Sequence, residues 1–86
     1  MSEQPVGVVV HYFPKISVAG VEVVSGHLEV GDTIEIEGHT TGFTQTIDSM
    51  QIDHESVERA AAGDEIGIRV TDRVREGDKV FRVTES

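Results

Sequence analysis

Asp48, Ser49 and His54, with His39 as a second base, are the residues that could carry nucleophilic chemistry. Such chemistry needs a hydroxyl, a base to take its proton and a carboxylate to orient that base. The spacing argues against this use. Side chains alternate along a strand, so Asp48 and Ser49 face opposite ways unless a bulge intervenes. The plainer reading is a set of solvent-facing polar residues on a bent strand. Metal chemistry finds no better footing. His11, His27, His39 and His54 lack the H-x-x-x-H spacing, and His54-Glu55-Ser56-Val57-Glu58 misses the second histidine of H-E-x-x-H. His39, next to Gly38, is expected to bond a turn backbone, and His54 to order the segment that follows it. No catalytic residue, metal or cofactor is expected.

Recognition is the other chemistry on offer. Tyr12, Phe13 and Lys15 form the densest aromatic and basic cluster in an aromatic-poor chain. Exposed, the cluster would stack a base or anchor a protein partner; buried, its rings would plug one end of the fold. The turn from Gly38 to Phe43, with His39, Thr41 and Phe43, is a second candidate for partner contact. Arg69, Arg73, Arg75, Lys79 and Arg82 place five of the seven positive charges in the last 18 residues. That skew offers a local patch for phosphate or an acidic partner, although charges at alternating strand positions are commonly just a solvated face.

The elements that must position these residues belong to one small domain, residues 1–86 with its core over about 5–83. A chain of this size hides only about 60 to 65% of the surface of its unfolded form, too little for a deep enclosed site. There is no cysteine, so neither disulfides nor thiolate ligands reinforce it, and a cytoplasmic location is the expectation. No stretch approaches the roughly 20 apolar residues of a membrane span. Sixteen acidic against seven basic residues give a formal charge of -9, which repels phosphate backbones except at a local basic patch. Five of the seven bases are Arg, a balance that suits work in high salt.

Fourteen Val, seven Ile and seven Thr stand against a single Leu28, and β-branched side chains favour a pleated surface over a helix. Alternation places Val6, Val8 and Val10, then Val21 and Val23, Ile34 and Ile36, and Ile66, Ile68 and Val70 on inward faces. Phe43, Gln45 and Ile47 continue the pattern, but Met50 and Ile52 change its parity, which requires a bulge or bend near Asp48 and Ser49. The one helical candidate is Asp53 to Ala62, where Val57, Ala60 and Ala61 lie at i, i+3 and i+4 and Gly63 offers a cap. One or two turns, or an irregular loop, are expected there.

One local pattern occurs three times: Leu28-x-x-Gly31-Asp32-x-Ile34, Ala60-x-x-Gly63-Asp64-x-Ile66 and Val74-x-x-Gly77-Asp78-x-Val80. Glycine supplies a positive φ and aspartate bonds nearby backbone N–H groups, so each copy predicts a turn leading into a strand. The unequal separations exclude a tandem repeat. Six or seven short strands without long helices predict an all-β fold, a small closed antiparallel barrel of Greek-key type, with a sandwich as the alternative.

The stretch SMQIDHESVERAAAGDEIGIRV, Ser49 to Val70, resembles the end of the second domain of translation elongation factors related to elongation factor Tu. Leu28-Glu29-Val30-Gly31-Asp32-Thr33-Ile34 resembles a hairpin of that domain, and Arg75-Glu76-Gly77-Asp78-Lys79-Val80 its closing turn. The likeness covers roughly Pro5 to Val83. His11 to Ala19 and Gly38 to Gln45 are also similar to small stand-alone elongation-factor-like proteins and to a C-terminal module of some collagenase-like peptidases. The resemblance implies a non-catalytic binding module that contacts a translation component (ribosome, tRNA or factor) or another protein. The peptidase likeness implies an accessory role beside an enzyme. The chain lacks a G-x-x-x-x-G-K-[ST] loop, so GTP binding by this chain is not expected.

Overall fold

The computed structural model describes residues 5–83, which form ten strands joined by turns. They are β1 (Pro5–Phe13), β2 (Val18–Val23), β3 (His27–Glu29), β4 (Thr33–Glu37), β5 (Gly42–Thr46), β6 (Met50–Ile52), β7 (Glu55–Val57), β8 (Arg59–Ala61), β9 (Glu65–Arg69) and β10 (Lys79–Val83). Eight make one sheet in the order β5-β4-β10-β1-β2-β9-β6-β7, and β3 pairs with β8 in a second, two-stranded sheet. Every pairing is antiparallel. The all-β expectation holds. The strand count exceeds six or seven because several strands are three residues long.

The ladder of the large sheet does not close on itself, and β5 and β7 stand at its two ends. A side chain spans the gap between β5 and the end of β9. The Gln45 amide donates to the Arg69 carbonyl at 2.8 Å, and its Oε1 accepts the Thr71 N–H at 2.8 Å. Gln45 thus stands in for two ladder bonds between segments 24 and 26 residues apart.

β-branched residues facing inward build a core that includes Val21, Val23, Ile34, Ile36, Ile66, Ile68 and Val80, with Leu28, Ile47 and Met50. Complete burial of each such side chain contributes about 1.5–3 kcal/mol against the entropy of ordering the chain. In β1 the expected phase holds at Val6 and then slips: Val6 and Val9 are buried, whereas Val8 and Val10 are only partly so. Register shifts between Pro5 and Gly7 and between Val9 and His11 insert extra residues, and each bulge exchanges the inward and outward sets. The parity change before Met50 is a strand break. Ile47 leaves β5 to exchange two bonds with the turn before β4, and β6 then pairs with β9.

No helix forms over Asp53 to Ala62. Asp53 and His54, at φ 52° and 67°, turn β6 back into β7, with Ile52 opposite Glu55. Two positive φ values in a two-residue loop are the mark of a type I′ hairpin, whose twist matches that of its strands. Val57 and Ala60 therefore lie in different strands and not on one helical face.

The three Gly-Asp turns share one hydrogen-bond scheme. Asp32, Asp64 and Asp78 each accept, through Oδ2 and at 2.9 Å, the N–H three residues earlier, from Glu29, Ala61 and Arg75. Their own N–H groups donate to the same residues' carbonyls at 3.0–3.1 Å, and the glycines between have φ of 93–100°. Each turn also clasps a buried residue of a distant segment. Gly31 N–H and Asp32 C=O hold Ile47, Gly63 and Asp64 hold Val23, and Gly77 and Asp78 hold Val9. Turns that look local in sequence therefore pin three long-range crossings of the fold.

Candidate binding surfaces

Two recesses on the described surface derive from turns that the sheet holds in place. The first is a groove of about 440 Å³ beside the β1–β2 turn, lined by residues that include Phe13, Ile16, Val18, Gly67 and His54. Phe13 and Ile16 are 46% and 59% exposed. They are held outward because the turn is fixed by the Ile16 N–H to Phe13 carbonyl bond and by the Val70 N–H donating to Ser17 O. An exposed pair of large apolar side chains at a rigid turn is a feature of contact surfaces.

The second recess is a cleft of about 280 Å³ between the β4–β5 turn and the connection from β9 to β10. Thr40, Thr41, Gly42 and Phe43 form one wall and Asp72, Arg73 and Arg75 the other. Val74, buried in the core, fixes the backbone between the two arginines. Arg75 is held further by the Asp78 carboxylate on its N–H. The opposite wall is braced by the Gly38 N–H to Thr41 carbonyl bond at 2.8 Å.

The six residues nominated from sequence for partner contact divide between these places. Phe13 lines the groove, and Thr41 and Phe43 line the cleft. His39 is exposed on the β4–β5 turn and Lys15 on the β1–β2 turn, and neither lines the groove or the cleft. Tyr12 is partly buried and packs against the core. Sequence reasoning missed Ile16 and Val18. The signal was an isoleucine in a turn otherwise made of proline, lysine and serine. It noted Arg73 and Arg75 as part of a charge skew but had no means of setting them opposite Thr41 and Phe43.

The hydrolytic set does not assemble. Ser49 precedes β6 and His54 follows it, so at about 3.3 Å per residue they stand more than about 10 Å apart along the hairpin. Asp48 and Ser49 are both exposed. Among the described residues no three His, Asp or Glu side chains are grouped to hold a metal ion. Of the histidines, His11 lies 3.4 Å from Glu76 and His27 lies 3.5 Å from Glu29, both on the surface.

Residues 17–80 match the family model of elongation factor Tu domain 2. This chain belongs to that family. An elongation factor Tu domain 2 also accounts for the three turns, all of which lie inside the matched stretch, as do both walls of the cleft. Phe13 and Ile16 fall just before it. The chain is 43% identical over 82 residues to an uncharacterized protease of Methanocaldococcus jannaschii, covering 94% of this chain and 20% of that protein. It is 40% identical over 78 residues to a collagenase of Porphyromonas gingivalis, covering 90% of this chain and 22% of that one. This elongation factor Tu domain 2 thus spans about a fifth of the curated relatives it matches. Among solved structures, the C-terminal domain of a putative U32 peptidase of Geobacillus thermoleovorans superposes with a TM-score of 0.86 at 21% identity, covering 95% of this chain and 93% of that domain. Its selenomethionine variant gives 0.85, with 91% and 98% covered. Among the described residues no helix is long and apolar enough to cross a membrane.

Proposed function

We propose that this chain is a non-catalytic binding module that serves a U32-type peptidase, holding or positioning a polypeptide partner without carrying out chemistry itself. The observation that carries this reading is the 43% identity over 94% of the chain to one fifth of a protease. The likeness in fold to a peptidase's C-terminal domain supports it. So does the separation of Ser49 from His54 by β6, which keeps that hydroxyl and that imidazole apart. The partner is engaged through the exposed Phe13 and Ile16, and the scaffold acts as a barrel whose open side is laced by Gln45.

A second reading, contact with a translation component, draws on the match to elongation factor Tu domain 2. At a net charge of -9, contact with RNA would rest on a local patch, and Arg73 and Arg75 are the place for it. Affinity capture from the protein's own cells, at their own salt, separates the two. A peptidase-family polypeptide among the captured proteins supports the first reading. Ribosomal proteins or tRNA in its place overturn it in favour of the second.

A further inference from the structure

We propose that the cleft between residues 40–43 and 72–75 binds the free C-terminal carboxylate of a peptide. The inference goes beyond the peptidase-associated reading and does not depend on it, because it concerns what this chain binds alone.

The first ground is charge. In a chain with sixteen acidic and seven basic residues, two arginines, Arg73 and Arg75, line one cleft. Among the described residues neither makes an ion pair, whereas Arg82 is held by Asp32 at 3.2 Å. Asp72 is the one acidic residue in the lining, and its Oδ1 is turned to the Arg73 N–H at 2.8 Å. The lining thus carries one net positive charge, together with the hydroxyls of Thr40 and Thr41. Guanidinium forks match a carboxylate in bidentate geometry, and hydroxyls supply further donors.

Rigidity is the second ground. Gln45 ties β5 to Arg69 and Thr71 on one side of the cleft. On the other side Gly38 packs against Asp78, whose carboxylate holds Arg75. Both walls are therefore fixed relative to each other before a ligand arrives, which lowers the ordering cost of binding.

Size and field choose the ligand. A cleft of about 280 Å³ sits at the lower edge of the range of small-ligand sites, about 300–1,000 Å³, and suits the last one or two residues of a peptide. Phe43 offers that last side chain an apolar wall. A single carboxylate feels mainly the two nearby arginines, since charges beyond a Debye length of about 8 Å at physiological salt are screened. A nucleic acid would bring further phosphates beyond the two arginines against a chain of net charge -9, which repels them.

The test is an amide-resolved NMR titration of the whole chain with N-acetyl-alanyl-leucine and, separately, with its C-terminal amide. Inorganic phosphate and a short single-stranded RNA form two further arms. The free carboxylate is expected to shift Thr41, Gly42, Phe43 and Arg73, with the C-terminal amide binding at least tenfold more weakly. The double variant Arg73→Gln/Arg75→Gln should lose at least tenfold in affinity and keep its melting temperature, while Arg59→Gln binds as the unaltered chain does. The comparison of acid with amide uses the unaltered chain, so it decides the matter even if the double variant fails to fold. Equal binding of acid and amide, no shifts at millimolar peptide, or shifts from phosphate or RNA with the peptide silent would each overturn the proposal.

Discussion

The carboxylate of Asp78 lies directly against the Cα of Gly38, and a Cβ at that glycine would collide with it. Asp78 is 5% exposed and holds the Arg75 N–H, so this contact joins the end of β4 to the turn that leads into β10. Gly38→Ala is expected to destabilise the fold by about 1–3 kcal/mol through overpacking, read as a lower midpoint in urea. An unchanged midpoint would show that the carboxylate can swing away.

Removing the carboxylates of the three turns should grade with burial. Asp78→Ala leaves the Arg75 N–H without its partner in a buried setting and is expected to cost about 1–3 kcal/mol. Asp64→Ala frees an N–H at an exposed site, where water replaces the carboxylate, and should cost less. Urea denaturation of the two single variants gives the ranking directly.

The β6–β7 turn places Asp53 and His54 at positive φ, a conformation that disfavours most side chains by about 1–2 kcal/mol. Asp53→Asn/His54→Gly supplies the pair that type I′ turns favour. The double variant is expected to melt higher than the parent. A lower melting temperature would mean that His54 makes a contribution in the groove that outweighs the relief of strain.

The acidic surface has a consequence for salt. With a net charge of -9, repulsion across the surface weakens as ionic strength rises, because screening contracts to about 3 Å at 1 M. The melting temperature is expected to climb from low salt to molar salt. A flat or falling curve in calorimetry would remove the proposal that the protein is adapted to high salt.

Much of this fold is legible in the residues, for local reasons. The Gly-Asp turns were readable because the bond from Asp Oδ2 spans only three residues and the glycine φ is a local requirement. Ile34, Ile36, Ile66 and Ile68 alternate without interruption, and their burial follows the pattern. The phase of β1 was not readable, since its bulges answer to where β2 and β10 pair with it. Val57 and Ala60 mimic a helical spacing only because a bend at Glu58 separates two three-residue strands. Likewise Thr41 and Phe43 were visible as a candidate and Arg73 and Arg75 as a charge skew. Their meeting depends on Gln45 reaching Arg69 and Thr71, which no window of neighbouring residues reveals.

The partner surface makes a mutational prediction that separates contact from scaffold. Phe13→Ser and Ile16→Ser alter side chains that are 46% and 59% exposed, so both variants should stay folded, with a smaller loss of stability than truncation of a core residue such as Ile34. Capture of the partner should be lost in both. Retained capture with intact melting would move the contact elsewhere.

The most direct measurement places a photo-crosslinking amino acid at position 16 of the chain in its own cells, with position 59 as the control. The account predicts an adduct at 16, absent at 59, with a polypeptide of the U32 peptidase family. An adduct with a ribosomal protein or tRNA, or equal labelling from both positions, would contradict it.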